Sequence, residues 1–251
     1  MAKGNFSRAT LIERRDFTHD LALFRFRTDR PLPFRPGQYA TIAVEDGDTL
    51  IQRAYSIVSA PHEPELEFFV ELVPEGELTP RLWALQLEDE VLIREKIVGR
   101  FTQEPPEAYA RHLMLATVTG IAPFLSMARS QQHALTHGEL QTPARFVILH
   151  GASYTHELGV YHNELVALAR DADWLTYIPT ISRPWEDPEW QGETGRVEDL
   201  IRKYADTLGL DATNTAAYAC GHPQMIENAK GILARARFGK GQVKEEKYFV
   251  P

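Results

Sequence analysis

The sequence predicts a β domain followed by an α/β domain, first a closed antiparallel barrel and then a parallel sheet with crossover helices. Three observations point there. Residues 6 to 101 run as short apolar or alternating segments parted by turn residues, Glu104-Pro105-Pro106-Glu107 interrupts that pattern, and strand-like and helix-like stretches alternate after it. With 251 residues, 43% apolar and 25% charged, the chain can bury two modest cores. The domains are expected at residues 1–103 and 107–251.

In the first part, Ala22-Leu23-Phe24-Arg25-Phe26 alternates as a half-buried strand does. Tyr39 to Val44 follows a Pro36-Gly37 turn, and Leu66 to Val73 is a nearly continuous apolar run. Pro31, Pro33, Pro61-His62-Glu63-Pro64 and Gly76 punctuate them. One helix is predicted over Pro80 to Leu87, with Thr79 as its N-cap and Pro80 in the first helical position. Several short strands and one helix favour a barrel.

In the second part, a buried strand is predicted over His112 to Ala116 and a helix over Ala122 to Ala134. The strand Arg145 to His150, the helix Tyr161 to Ala169 and the strand Thr176 to Ile181 follow. The helix Val197 to Tyr204, the strand Ala216 to Cys220 and the helix Pro223 to Ala236 complete the alternation.

A formal charge of -8 argues against nucleic-acid binding. A single cysteine excludes an internal disulfide and any iron–sulfur cluster held by four cysteines of this chain, and no metal is expected. No run of about 18 apolar residues occurs, and Met1-Ala2-Lys3-Gly4-Asn5-Phe6 lacks the apolar stretch of a signal peptide. Neither membrane insertion nor export is expected, and the cytoplasm is the expected location.

Three segments carry chemistry: Arg53-Ala54-Tyr55-Ser56, Thr117-Val118-Thr119-Gly120-Ile121-Ala122-Pro123-Phe124, and Cys220-Gly221-His222-Pro223-Gln224-Met225. The first alone also fits an ordinary strand with a paired arginine and a packed tyrosine; in order, the three together resemble the ferredoxin-NADP reductase family. The aromatic tail Glu246-Lys247-Tyr248-Phe249-Val250-Pro251 resembles its bacterial branch. The resemblance spans nearly the whole chain, including Leu66 to Val70, Gly76 to Leu82 and Lys96 to Gly99. It implies a Greek-key FAD-binding barrel and a Rossmann-like NADP-binding domain whose tail returns to the flavin.

A guanidinium grips a pyrophosphate, an aromatic face stacks on an isoalloxazine, and a hydroxyl hydrogen-bonds the ring nitrogen that accepts hydride. Strand alternation puts Arg53 and Tyr55 on one face, with Ser56 at the strand's end. The resemblance implies the matching roles: Arg53 at the FAD phosphates, Tyr55 on the flavin face, Ser56 near N5 and Ala54 between them. It adds Phe69, Val70, Leu78, Thr79 and Thr119 to the FAD site, although capping alone accounts for Thr79, and core packing for Phe69 and Val70. It places Tyr248 over the flavin, in the nicotinamide position, and Phe249 near the adenine. A packed chain end is the plainer reading of both.

For the nicotinamide nucleotide, Thr119-Gly120-Ile121-Ala122-Pro123 lies between a strand and a helix, where the backbone N–H groups before Pro123 and the helix dipole suit a phosphate. The family's usual glycine is replaced by Val118, which is expected to keep an extended geometry and to tighten nicotinamide entry. The resemblance puts Arg183 and Arg196 at the 2'-phosphate of NADP, with Ser153 where a third arginine is usual. Surface pairing with Glu186 or Glu198 is the alternative. It sets Cys220, with Gly221, Pro223 and Met225, beside the nicotinamide, the cysteine orienting the ring; a buried structural cysteine is the commoner case. Ser56, Cys220 and Tyr248 are thus the candidate catalytic residues.

The resemblance implies an oxidoreductase of the ferredoxin–NADP(+) reductase type (EC 1.18.1.2). Hydride passes from NADPH to FAD N5, and single electrons then pass to a separate ferredoxin or flavodoxin, the enzyme acting as a monomer. Residues 1 to 35 hold eight Lys or Arg against four Asp or Glu, and residues 36 to 101 five against thirteen. The early basic surface suits an acidic carrier, or is simply a solvated strand face. The alternatives are an oxygenase-associated or general flavin reductase of the same fold, and a non-catalytic FAD-binding electron-transfer subunit.

Overall fold

A strand whose alternate residues are apolar buries one face, and the early segments do so around a common core of Leu11, Phe24, Phe26, Ile42, Phe68 and Ile93. The structure, a computed structural model, describes residues 5–105 and 108–248. Pro106 and Glu107 of the expected linker, and Phe249 of the expected FAD site, lie outside the described residues.

The strands of the first part are β1 (Phe6–Asp16), β2 (Leu21–Thr28), β3 (Tyr39–Asp46), β4 (Thr49–Ser56), β5 (Leu66–Glu71) and β6 (Glu90–Arg94), with helix α1 (Thr79–Ala84) between the last two. They form one antiparallel sheet in the order β4-β3-β6-β1-β2-β5. The expected closed barrel is only barrel-like. β4 and β5 share no ladder; Val58, past the end of β4, donates its N–H to Glu67 at 2.8 Å, and the Ser59 hydroxyl accepts from the Glu67 N–H at 3.1 Å. The chain leaves strand geometry after Ser56 and turns inward, burying Ile57, Val58, Ser59 and Ala60, so an irregular segment spans the gap.

Helix α1 is shorter than expected and is not capped by Thr79. Its N-cap is Leu78, without a side-chain cap, and Pro80 follows Thr79, the first helical residue. The Thr79 hydroxyl instead bonds both the N–H and the carbonyl of Val73 at 3.0 Å, closing the loop before the helix. The helix stops at Ala84 because Leu85 is extended and a turn brings Glu88 to φ +74.

The second part holds β7 (Arg111–Thr117), α2 (Ala122–Thr136), β8 (Arg145–Ala152), α3 (Gly159–Asp171), β9 (Leu175–Ile181), the short β10 (Glu193–Thr194), α4 (Ile201–Leu208), β11 (Thr215–Gly221), α5 (Pro223–Arg235) and β12 (Val243–Lys247). All pair in parallel, in the order β10-β9-β8-β7-β11-β12. Central strands are apolar on both faces, as a covered parallel sheet requires; every residue of β11 is buried. The helix expected over Val197 to Tyr204 begins as a 3-10 turn, Val197–Leu200, and becomes α-helical from Ile201 to Leu208.

The chain divides into two compact units. One runs to Gln103 and includes Ala122–Ser130; the other comprises Glu104–Ile121 and the chain from Gln131 onward. Within the first, buried Glu67 takes ion pairs from Arg25 at 2.5 Å and from Arg129 of α2 at 3.4 Å, and the Ser126 hydroxyl donates to the Ser59 carbonyl at 2.8 Å. These bonds explain why the opening turns of α2 pack with the strands. No helix among the described residues is long and apolar enough to cross a membrane.

Candidate functional site

On the first unit, β4 pairs with β3 so that Ile42 faces Arg53, Ala40 faces Tyr55 and Tyr39 faces Ser56. Arg53 and Tyr55 therefore share one face, and Ser56 closes the strand. The Arg53 guanidinium is half exposed, held by the Gln52 carbonyl at 2.8 Å and by exposed Glu77 at 2.5 Å. Tyr55 is half-buried against the barrel core, and that burial pushes its phenol up to about 12, so it stays protonated at neutral pH. Ser56 is buried and Ala54 exposed.

Phe69, Val70, Leu78 and Thr79 are all buried. Val70 and Leu78 belong to the barrel core, so only their backbone is free for a ligand. Phe69 points to the other face of β5, edge-on to Phe17 at 5.7 Å. The donor set fits a flavin nucleotide: a half-exposed guanidinium held by a backbone carbonyl and a solvent-exposed carboxylate, a neutral phenol ring and a hydroxyl lie within four consecutive residues of one strand.

On the second unit, β7 ends at Thr117 and the 3-10 turn Val118–Ile121 leads into α2. Val118 is not extended, contrary to expectation: its φ is +44, in the left-handed region that β-branched residues disfavour. Gly120 has a packing reason beside any ligand, since a Cβ there would lie 2.2 Å from the Cys220 carbonyl oxygen. Thr119, Ala122 and Pro123 are buried, the last opening α2 at N1/N2.

Parallel strands gather ligands at their carboxyl ends, and β11 ends there with Cys220 and Gly221. The Thr117 hydroxyl accepts the His222 N–H at 2.8 Å, and the His222 ring caps α5 by accepting the Gln224 N–H at 3.1 Å, with Pro223 next in the chain. Met225 is a buried member of the core cluster that holds Leu113, Leu115 and Ala219. The tail is no loose end. β12 pairs with β11 so that Lys247 lies beside Gly221, and the Tyr248 N–H then donates to the Gly221 carbonyl at 3.1 Å.

The Tyr248 hydroxyl donates to the Thr119 carbonyl at 2.6 Å and receives the Cys220 thiol at 3.7 Å. Burial, with Glu246 nearby, pushes the Cys220 thiol well up, so it is no nucleophile; burial raises the Tyr248 phenol likewise.

Arg183 and Arg196 are both exposed, after β9 and after β10. Arg183 stacks over the Tyr154 ring at 4.9 Å and donates to its hydroxyl, rather than forming the alternative pair with Glu186. Glu198 is buried and accepts from Asn228 at 3.0 Å. Ser153 and Tyr154 turn their N–H groups to the Glu157 carboxylate, at 2.6 and 3.1 Å. Sequence reasoning missed Tyr154 and also His150, a buried histidine of β8 whose Nε2 meets the Val118 carbonyl at 2.9 Å. A lone histidine in an apolar strand carried no signal for either partner.

Residues 8–101 match the oxidoreductase FAD-binding domain and residues 114–231 the oxidoreductase NAD-binding domain. Among curated proteins, the flavodoxin/ferredoxin–NADP reductase of Buchnera aphidicola is 30% identical over 241 residues, covering 90% of this chain and 93% of its own. The flavodoxin/ferredoxin–NADP reductase of Escherichia coli is 31% identical over 83% of each chain. The ferredoxin–NADP reductase of Pseudomonas aeruginosa is 31% identical over 84% of this chain and 83% of its own. The fold resembles the crystal structure of a ferredoxin NADP+ reductase from Neisseria gonorrhoeae with bound FAD and NADP. The TM-score is 0.84 at 23% identity, over 98% of this chain and all of that one.

Proposed function

Because this chain belongs to the flavodoxin/ferredoxin–NADP reductase family, we propose that it moves hydride between NADPH and a bound FAD and passes electrons singly to a separate ferredoxin or flavodoxin. The observation that carries this reading is the meeting of Tyr248, Cys220 and Thr119 at the carboxyl ends of β7 and β11. A site of that make suits a flat ring such as the neutral dihydronicotinamide of NADPH, with Tyr248 standing in its place until it is displaced.

The barrel-like unit would hold FAD. Arg53 would leave Glu77 for the pyrophosphate, Tyr55 would stack on the flavin, and Ser56 would hydrogen-bond the nitrogen that receives hydride. The flavin, when bound, supplies the conversion of a two-electron donor into single-electron steps. The α/β unit would take NADP: the turn after β7 and the capped start of α5 at the phosphates, Arg183 and Arg196 at the 2'-phosphate, and Cys220 orienting the nicotinamide as a neutral thiol. One cysteine leaves no four-thiolate cluster within the chain, which favours a separate carrier. We place the enzyme in the cytoplasm as a monomer.

The test is steady-state reduction of a ferredoxin or a flavodoxin by the FAD-loaded protein. NADPH is expected to drive either carrier and NADH to be far weaker; turnover of free flavins without turnover of either carrier would move the protein to the general flavin reductases.

A further inference from the structure

Val118 sits in a conformation that glycine takes freely and a β-branched residue resists, with φ +44. Such a residue persists only where its surroundings over-determine it. Its side chain packs against the cluster of Ala152, Leu158 and Ile181, which Trp190 also covers. Its neighbours are tied on either side, the Thr117 hydroxyl to His222 and the Thr119 carbonyl to Tyr248. Its own carbonyl accepts from His150 at 2.9 Å.

His150 is fully buried on β8, and its tautomer follows from its partners. A carbonyl cannot donate, so Nε2 carries the proton toward Val118. Nδ1 must then accept, and the Tyr177 hydroxyl of β9 donates to it at 3.0 Å. The Tyr177 oxygen can in turn accept from His162 Nδ1 at 3.5 Å. Burial, with His162 nearby, lowers the His150 ring to about 4, so the neutral form this pattern needs is the one present at neutral pH.

We propose that His150 is a positioning residue that, fixed by Tyr177, clamps the Val118 carbonyl and so holds the turn Val118–Ile121 in shape for the nicotinamide nucleotide. The clamp does by a hydrogen bond what a glycine at this position would do by conformational freedom. The proposal rests on the reading that this turn receives the nucleotide.

The test is a double-mutant cycle on the FAD-loaded enzyme, with His150→Ala and His150→Gln each made alone and together with Val118→Gly. KM for NADPH, kcat and the melting temperature are read. His150→Ala is expected to raise KM roughly tenfold, as release of one strained residue implies, with kcat little changed. His150→Gln, which keeps an N–H donor, is expected to raise it less and guards against a variant that fails to fold. In the Val118→Gly background the rise from His150→Ala is expected to shrink to roughly twofold or less, and its loss of melting temperature to shrink with it.

Equal effects of His150→Ala in both backgrounds overturn the clamp. Coupling in melting temperature without coupling in KM overturns the positioning role and leaves a structural bond. If the wild type is not reduced by NADPH, the proposed function fails instead, and absence of coupling in melting temperature still refutes the clamp by itself.

Discussion

Two buried histidines titrate far below their usual range. His112, on β7 between Phe146 and Tyr218, is lowered to about 4 by burial, which outweighs the favourable charge of Glu104; Lys244 lowers it further. His150, facing Tyr177 and His162, is lowered to about 4 for the same main reason. A ring whose folded pKa lies below its unfolded value of about 6.5 binds more protons when unfolded across that window. Stability is therefore present above pH 6.5 and is lost as pH falls toward 4. Between pH 7.5 and 5.5 the fall is about 1 kcal/mol per ring, read as a lower urea midpoint at unchanged slope. The same midpoint at both pH values would show that both rings are open to water, and half the expected fall that one of them is. Strand alternation made it legible that Arg53 and Tyr55 share a face with Ser56 at the strand's end, and the apolar run before Cys220 that it closes a buried strand. Val118 was misread because φ is set by the turn it must make, and Thr79 because its hydroxyl found the Val73 backbone nearer than its own helix.

Elements with apolar periodicity were legible, and β7, β8, β9 and β11 all fall within a residue or two of expectation. β12 was not. Its sequence, Val243-Lys244-Glu245-Glu246-Lys247, has no apolar alternation, because an edge strand pairs on one side only and meets solvent on the other. It is held by the ladder to β11 and by Lys244 to Glu104 at 2.6 Å, Lys230 to Glu245 at 2.7 Å and Lys247 to Glu227 at 2.6 Å. That register delivers Tyr248 to Cys220, so the tail is positioned by a strand rather than draped. Truncation after Lys247 removes the tyrosine and leaves the ladder. The flavin absorbance is expected to shift and NADP+ to bind more tightly, since it no longer displaces a phenol; titration of the holoenzyme reads both. Unchanged spectrum and unchanged affinity together would show that Tyr248 does not occupy the nicotinamide position.

For the whole molecule, the first unit carries a cation, an aromatic ring and a hydroxyl on β4, and the second carries two exposed arginines and a buried thiol at the carboxyl side of its parallel sheet. Chain length and the change of pattern near residue 104 made this division legible. The inclusion of Ala122–Ser130 with the strands was not, because it depends on Arg129 reaching buried Glu67 and Glu63, pairs far apart in sequence. The most direct measurement is anaerobic stopped-flow of the FAD-loaded protein mixed with a slight excess of NADPH or of NADH, for the wild type and for Arg183→Ala with Arg196→Ala. NADPH is expected to bleach the wild-type flavin at least tenfold faster than NADH, and the double variant to lose most of that preference, two phosphate contacts each contributing about 1–2 kcal/mol. A yellow protein bleached by neither nucleotide, or by both at the same rate in wild type and variant, would contradict an NADPH-specific hydride site on this chain.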